Sequence, residues 1–298
     1  MQHLIAVDWG TTTLRGALLA GDGTVLEELS APDGILSVPA GGFEPVFSKH
    51  FGRWQQATGA LALVAGMAGS RQGWREAAYC ACPAGFADIA ARLLWVEPAR
   101  IALVPGLRCD DQGVPDVMRG EETQVFGALD LLELDDALLV LPGTHSKWVI
   151  VKDRRVVGFR TFMTGEVYAL LRQHSILART LPESDGELDN DSFRGGLAHA
   201  ARSASLLHAA FSVRTLALFE RLPPASMPSY LSGLVIGEEL RAQGLSGSVG
   251  RVVLIGAPAL TARYRLALES LGIAATTVGA QASWRGLWAI ARQLEQFP

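Results

Sequence analysis

The sequence predicts an α/β protein built as two lobes of related architecture, and three observations carry that prediction. β-type and α-type segments alternate along most of the chain. A succession of strand, Gly-Thr turn, strand, turn and strand occurs twice, pivoting first on Gly10-Thr11 and again on Gly143-Thr144. The 298 residues, 49% hydrophobic and 19% charged, supply a core large enough for one large domain or two lobes.

Residues 4–7, 14–19 and 24–26 read as a three-stranded antiparallel meander, with Gly21-Asp22-Gly23 turning the chain back. Residues 31–42 hold prolines and glycines and read as a loop, after which 43–56 carry apolar residues at helical spacing. Strand at 61–65, helix at 84–94 and strand at 101–104 follow, then a loop rich in Asp, Gly and Pro over 109–115. A helix over 121–132 leads into the second meander, with strands at 137–141, 147–151 and 156–162 and a turn at Asp153-Arg154. Helices are then expected over 166–173, 192–208, 213–221 and 230–243. The remainder reads as strand 251–255, helix 258–271, strand 274–278 and a closing helix over 282–296.

Composition excludes several classes of function. Lys plus Arg number 26 against 30 Asp plus Glu, a net charge of -4 with no basic stripe, so nucleic acid is not an expected partner. The start, Met1 to Asp8, reaches an acidic residue without the basic and long apolar stretches of an export signal. The most apolar runs, 61–67 and 252–260, are far shorter than the ~20 residues that span a bilayer. Cys80, Cys82 and Cys109 are an odd set in a long chain, which points to reduced thiols and the cytoplasm. Cys80-Ala81-Cys82 lacks the second ligand pair that a zinc site requires.

Four segments have the composition of a reactive site. In Asp8-Trp9-Gly10-Thr11-Thr12-Thr13 a carboxylate and a row of amides and hydroxyls gather at a tight turn after a buried strand, which suits phosphate together with a divalent metal. A polar hairpin with Gly10 present only for backbone freedom accounts for the same residues equally well. Gly143-Thr144-His145-Ser146-Lys147 has similar donors plus a cation, and two such turns facing one another would clamp a triphosphate. No Gly-x-x-x-x-Gly-Lys-Ser/Thr run exists, so neither turn is a P-loop. Val253 to Ile255 leads into Gly256-Ala257-Pro258, a small-residue turn opening a helix, where backbone could approach a base or ribose. Gly120-Glu121-Glu122-Thr123-Gln124 starts a helix with two carboxylates, which is either helix-start acidity alone or the seat of a general base.

Taken together, Asp8-Trp9-Gly10-Thr11-Thr12, Gly69 to Glu76, Arg119 to Gln124 and Leu141 to Trp148 resemble the 2-keto-3-deoxygalactonate kinase family. That family lies within the superfamily of sugar kinases, actin and heat-shock chaperones. The resemblance implies an actin-like ATPase fold of two ribonuclease H-like lobes with a cleft between them: a sugar-acid lobe over 1–118, an interlobe helix over 119–135, and an ATP lobe over 136–298 whose last helix, 282–296, packs back on the first lobe. It further implies transfer of the γ-phosphoryl group of ATP to the 6-hydroxyl of 2-keto-3-deoxygalactonate in galactonate breakdown.

In that reading Asp8 positions Mg²⁺, while Gly10, Thr11, Thr12 and the turn from Gly143 through Thr144, His145 and Ser146 to Lys147 hold phosphates. Gly256 and Ala257 border the adenosine. Glu121 is the first choice for the base and Glu122 the second. Sugar kinases of the glycerol kinase type place an Asp where this chain offers these two glutamates. Arg71 and Arg75, with Gln72 and Trp74, are expected to take the sugar acid, since Arg presents a bidentate fork to a carboxylate. The competing readings are an ATPase switch or a sugar-sensing regulator on the same fold, and a kinase for a related sugar acid. The expected chain is the kinase, because these 298 residues leave no room for a client-binding domain and no helix-turn-helix precedes the first strand.

Overall fold

β1 (His3–Trp9), β2 (Leu14–Ala20) and β3 (Val25–Ala31) form an antiparallel meander in the computed structural model, which describes residues 2–245 and 251–294. β1 is buried almost throughout, as befits a strand covered on both faces. α1 (Phe43–Thr58) turns Phe43, Phe47, Phe51 and Trp54 onto one face and ends at Gly59 in the left-handed conformation. Phe51 fills the space left by Gly16, where an added Cβ would fall 2.2 Å from the ring.

β4 (Leu61–Gly66) runs parallel to β1. β5 (Cys80–Ala81), α2 (Phe86–Ala90), β6 (Leu94–Glu97) and β7 (Ile101–Leu103) follow. The helix expected over 84–94 is thus only α2, because Leu94, Trp95 and Glu97 pair with β7, and ladder pairing outweighs local propensity. The first sheet has the order β3-β2-β1-β4-β7-β6.

The loop expected over 109–115 is instead a hairpin of β8 (Leu107–Asp111) and β9 (Val114–Met118). Gln112 and Gly113 both take positive φ, the signature of a two-residue hairpin turn, and Asp110 Oδ1 accepts from Gly113 N–H at 2.6 Å. The sheet order β5-β8-β9 places Pro115 on an edge strand, where its missing donor costs no ladder bond.

α3 (Glu121–Leu131) precedes the second meander, β10 (Ala137–Leu141), β11 (Ser146–Lys152) and β12 (Arg155–Phe162). Then come α4 (Thr164–His174), α5 (Asn190–Arg202), α6 (Leu206–Ala209), α7 (Phe211–Leu218), α8 (Met227–Gln243), β13 (Val252–Ile255), α9 (Pro258–Glu269), β14 (Ala275–Val278) and α10 (Gln281–Leu294). The second sheet runs β12-β11-β10-β13-β14. The single helix expected over 192–208 breaks after Arg202, because Ser205 caps a new helix by accepting from Leu207 N–H at 3.2 Å. Residues 295–296 of the expected last helix lie outside the described residues.

The chain divides into two compact units. One comprises Met1–Leu139, Trp148–Arg160 and Val278–Pro298; the other comprises Val140–Lys147 and Thr161–Thr277. In the first unit α3 and α10 cross backbone to backbone at Gly127 and Gly286, where an added Cβ would fall 1.8 Å from Ala282 O and Thr123 O respectively. That crossing fixes where α3 begins. In the second unit α5 and α8 meet in the same way at Gly196 and Gly233. The three cysteines are free thiols, and burial pushes Cys82 up to about 12. No helix among the described residues is long and apolar enough to cross a membrane.

Candidate functional site

In the first unit the register of β1 against β2 sets Asp8 opposite Arg15, whose guanidinium donates to Asp8 Oδ2. The other oxygen, Oδ1, faces Gly66 at the end of β4, where an added Cβ would lie 3.2 Å away. Gly66 and Gly120 both take positive φ, and Gly120 comes so close that its own Cβ would fall 3.2 Å from Gly66 Cα. Neither position accepts a side chain without displacement. The C-terminal ends of two parallel strands and the N-terminus of α3 therefore converge on Asp8, the place where open α/β sheets receive ligands.

The adjoining turn is closed by Gly10 N–H to Thr13 O at 2.9 Å and leaves Thr11, Thr12 and Thr13 exposed. It is backed by the segment after β3, through Ile35 N–H to Gly10 O at 3.0 Å and Leu36 N–H to Thr11 O at 3.2 Å. Gly34 lies directly against Thr12, and a Cβ there would fall 2.3 Å from Thr12 C.

At the start of α3 the two glutamates diverge. Glu121 is half-buried and accepts Arg119 N–H at 3.0 Å. Glu122 is fully buried and accepts Gly120 N–H at 2.7 Å, with its second oxygen buried too. Burial, reinforced by the charge of Glu121, raises Glu122 to about 8, so its carboxyl is largely protonated at neutral pH. Arg119 was not among the expected site residues, although it opens the Arg-Gly-Glu-Glu string. It donates to Ala77 O at 2.8 Å and stacks over Tyr79 at 4.4 Å, tying the segment after β4 to the head of α3.

The expected sugar-acid residues occupy that segment. Arg71 is 86% exposed, with Nε 3.5 Å from Glu76 Oε2. Arg75 is exposed and donates to Trp95 O at 3.2 Å, and Gln72 is exposed. Trp74 is half-buried and joins the first core, with its ring centroid 6.0 Å from that of Trp9 and 5.7 Å from that of Phe47. It anchors the segment that carries the arginines.

In the second unit the turn between β10 and β11 leaves Gly143 half-buried and Thr144 and His145 exposed. His145 Nε2 lies 2.6 Å from Glu166 Oε2, and Glu166 N–H donates to Thr144 O at 3.0 Å, so the first turn of α4 closes on it. Gly165 packs on the same turn, where a Cβ would fall 2.4 Å from Gly143 O. Ser146 and Lys147 point inward: Ser146 Oγ donates to Glu239 Oε2 at 2.8 Å and Lys147 Nζ to Thr161 Oγ1 at 2.8 Å. Gly256 approaches Pro142 O, and Ala257 caps α9 with Pro258 at its first position. Beside the turn, still within the second unit, a cavity of about 260 Å³ is lined by Gly143, Thr164, Gly165, Tyr168, Arg263 and Tyr264 among others. Of these the sequence reading names only Gly143; Tyr168, Arg263 and Tyr264 fall in segments read simply as helices, and Thr164 and Gly165 lie just ahead of one.

Comparison with known proteins identifies the family of the chain. A family described as 2-keto-3-deoxy-galactonokinase matches residues 8–290. A Rhizobium meliloti (strain 1021) protein named as a probable 2-dehydro-3-deoxygalactonokinase is 39% identical over 98% of this chain and 97% of its own length. The 2-dehydro-3-deoxygalactonokinase of Escherichia coli (strain K12) is 34% identical over 94% of each chain. A crystal structure from Sinorhizobium meliloti, assigned to the same kinases, superimposes with a TM-score of 0.89 at 38% identity, covering 98% of this chain and 99% of the other. The architecture is the actin-like ATPase fold. With a family match of that extent and relatives this similar over nearly their whole length, the chain belongs to the 2-keto-3-deoxy-galactonokinase family.

Proposed function

We propose that the protein transfers the γ-phosphoryl group of ATP to the 6-hydroxyl of 2-keto-3-deoxy-D-galactonate, giving 2-keto-3-deoxy-6-phosphogalactonate, in the breakdown of galactonate in the cytoplasm. The observation that supports this reading is the close approach of Gly66, which faces Asp8 Oδ1 at the end of β4, to Gly120 at the head of α3, where the two glutamates begin.

Glu121 takes the proton of the attacking hydroxyl. It is half-buried, whereas Glu122 is already largely protonated at neutral pH and serves as the second choice. Asp8 would hold a magnesium ion through Oδ1, since Arg15 occupies Oδ2. When bound, the ion neutralises charge on the β- and γ-phosphates. Gly10, Thr11 and Thr12 present amides and hydroxyls to phosphate, and Gly143, Thr144 and His145 do so in the second unit. Ser146 and Lys147 support that second turn from inside, and Gly256 and Ala257 border the nucleoside. Arg71 and Arg75, with Gln72, take the substrate carboxylate, held in place by Trp74.

ADP release with ATP and Mg²⁺ across a panel of 2-keto-3-deoxy sugar acids and the parent neutral sugars tests the reading. The galactonate derivative is expected to stimulate release most strongly. Release that is indifferent to every acid would contradict a kinase.

A further inference from the structure

Glu239 lies on α8, only 2% exposed, and no step of the proposed reaction uses it. A buried carboxylate persists only where donors satisfy it. Its Oε2 receives three hydroxyls: Ser146 Oγ at 2.8 Å, Tyr264 OH at 2.7 Å, and Thr164 Oγ1. These donors come from the start of β11, from α9 and from the first residue of α4, so one oxygen joins three elements to a fourth. Thr164 and Tyr264 also line the cavity of about 260 Å³ beside Gly143. Ser146 directly follows His145 at the end of the turn. Burial and the neighbouring carboxylate keep the Tyr264 phenol protonated, hence a donor.

A hydroxyl bonded to a neutral acceptor is a weak anchor, while a carboxylate makes each of these bonds charge-assisted. The same oxygen therefore sets both the shape of the 143–147 turn and the position of two residues in the cavity wall. We propose that Glu239 is a positioning residue for nucleotide binding, fixing the phosphate-presenting turn and the adjoining cavity wall through a single acceptor. The proposal rests on the reading of the 143–147 turn as a phosphate site.

The test compares Glu239→Ala, Glu239→Gln, Ser146→Ala, Tyr264→Phe and Thr144→Ala by titration calorimetry with ADP and by steady-state kinetics. Glu239→Ala should weaken ADP binding and raise KM for ATP by about tenfold, the scale of a lost charge-assisted bond, with KM for the sugar acid unchanged. Glu239→Gln, which keeps an acceptor of the same reach but not its charge, should recover only part of that loss. Ser146→Ala and Tyr264→Phe should each weaken ADP about two- to fivefold. A merely structural glutamate would lower the fraction of active enzyme and leave both KM values alone. That result, or unchanged ADP affinity in Glu239→Ala, overturns the proposal. Should Glu239→Ala not fold, unchanged ADP affinity in both Ser146→Ala and Tyr264→Phe overturns it instead. If Thr144→Ala weakens ADP but the network variants do not, Glu239 alone is refuted. If Thr144→Ala leaves ADP binding untouched, the phosphate reading of the turn fails and takes the proposal with it.

Discussion

The Gly10 turn and the Gly143 turn share a composition but are held up in different ways. The first carries its charges on its own strands, with Asp8 and Arg15 facing each other across one hairpin, and its backing comes from residues 34–36, close by in sequence. The second has no carboxylate at its strand end. Its support is the first turn of α4 and a glutamate 93 residues beyond Ser146. In both, a glycine lies flat against the turn: Gly34 against Thr12, and Gly165 against Gly143. The difference teaches that similar donor chemistry can be built from local or from remote contacts.

The largest effect should come from the first unit. Glu121→Gln is expected to lower kcat by about 10²–10⁴, the range for losing a general base, while Glu122→Gln lowers it far less because Glu122 already carries its proton. Similar losses in the two variants would remove the distinction between the glutamates. Asp8→Asn keeps the shape and deletes the charge, so turnover should fall by about 10²–10³ even at saturating Mg²⁺. An equal loss on replacing His145 by Gln would break the contrast between the turns, because it would place the essential charge in both.

The backing glycines sharpen the comparison next. Gly165→Ala pushes a carbon into Gly143 O, and overpacking of this kind costs about 1–3 kcal/mol, so KM for ATP should rise about tenfold. Gly34→Ala presses on Thr12 in the same manner and should lower kcat as well, since that turn adjoins Asp8. A smaller, substrate-side effect is expected from Arg75→Ala and Arg71→Ala, with KM for the sugar acid up about tenfold and KM for ATP unmoved. Unchanged sugar-acid KM in both would take the carboxylate away from this segment.

The last effect is on stability. Folded Glu122 holds its proton to about pH 8, whereas the unfolded chain releases it near an ordinary carboxylate pKa. Between those points the native state carries a proton that the unfolded state has lost. Stability should therefore fall as pH rises, by at most ~1.4 kcal/mol per unit, and level off above pH 8. Glu122→Gln should raise Tm by a few degrees at pH 8 and progressively less toward pH 5. A Tm gap that stays constant over that range would contradict the burial argument.

What could be read from the sequence was whatever neighbours in sequence determine. Both meanders, both Gly-Thr turns, Asp8 at a strand end and the acidic head of α3 were legible because strand alternation and turn residues are local signals. The β8–β9 hairpin was not, since the Asp, Gly and Pro that form its turn and edge are the composition of a loop. Lys147 and Ser146 read as turn donors; their inward orientation depends on Thr161 and Glu239, which no local pattern indicates. The break between α5 and α6 turned on one capping serine inside an otherwise helical run.

The most direct test of the whole account is the product itself. ³¹P NMR of a reaction containing ATP, Mg²⁺ and 2-keto-3-deoxy-D-galactonate should show a phosphomonoester coupled to the two protons on C6, formed in step with ADP. Inorganic phosphate accumulating without that ester, or an ester coupled to any other carbon's proton, would contradict it.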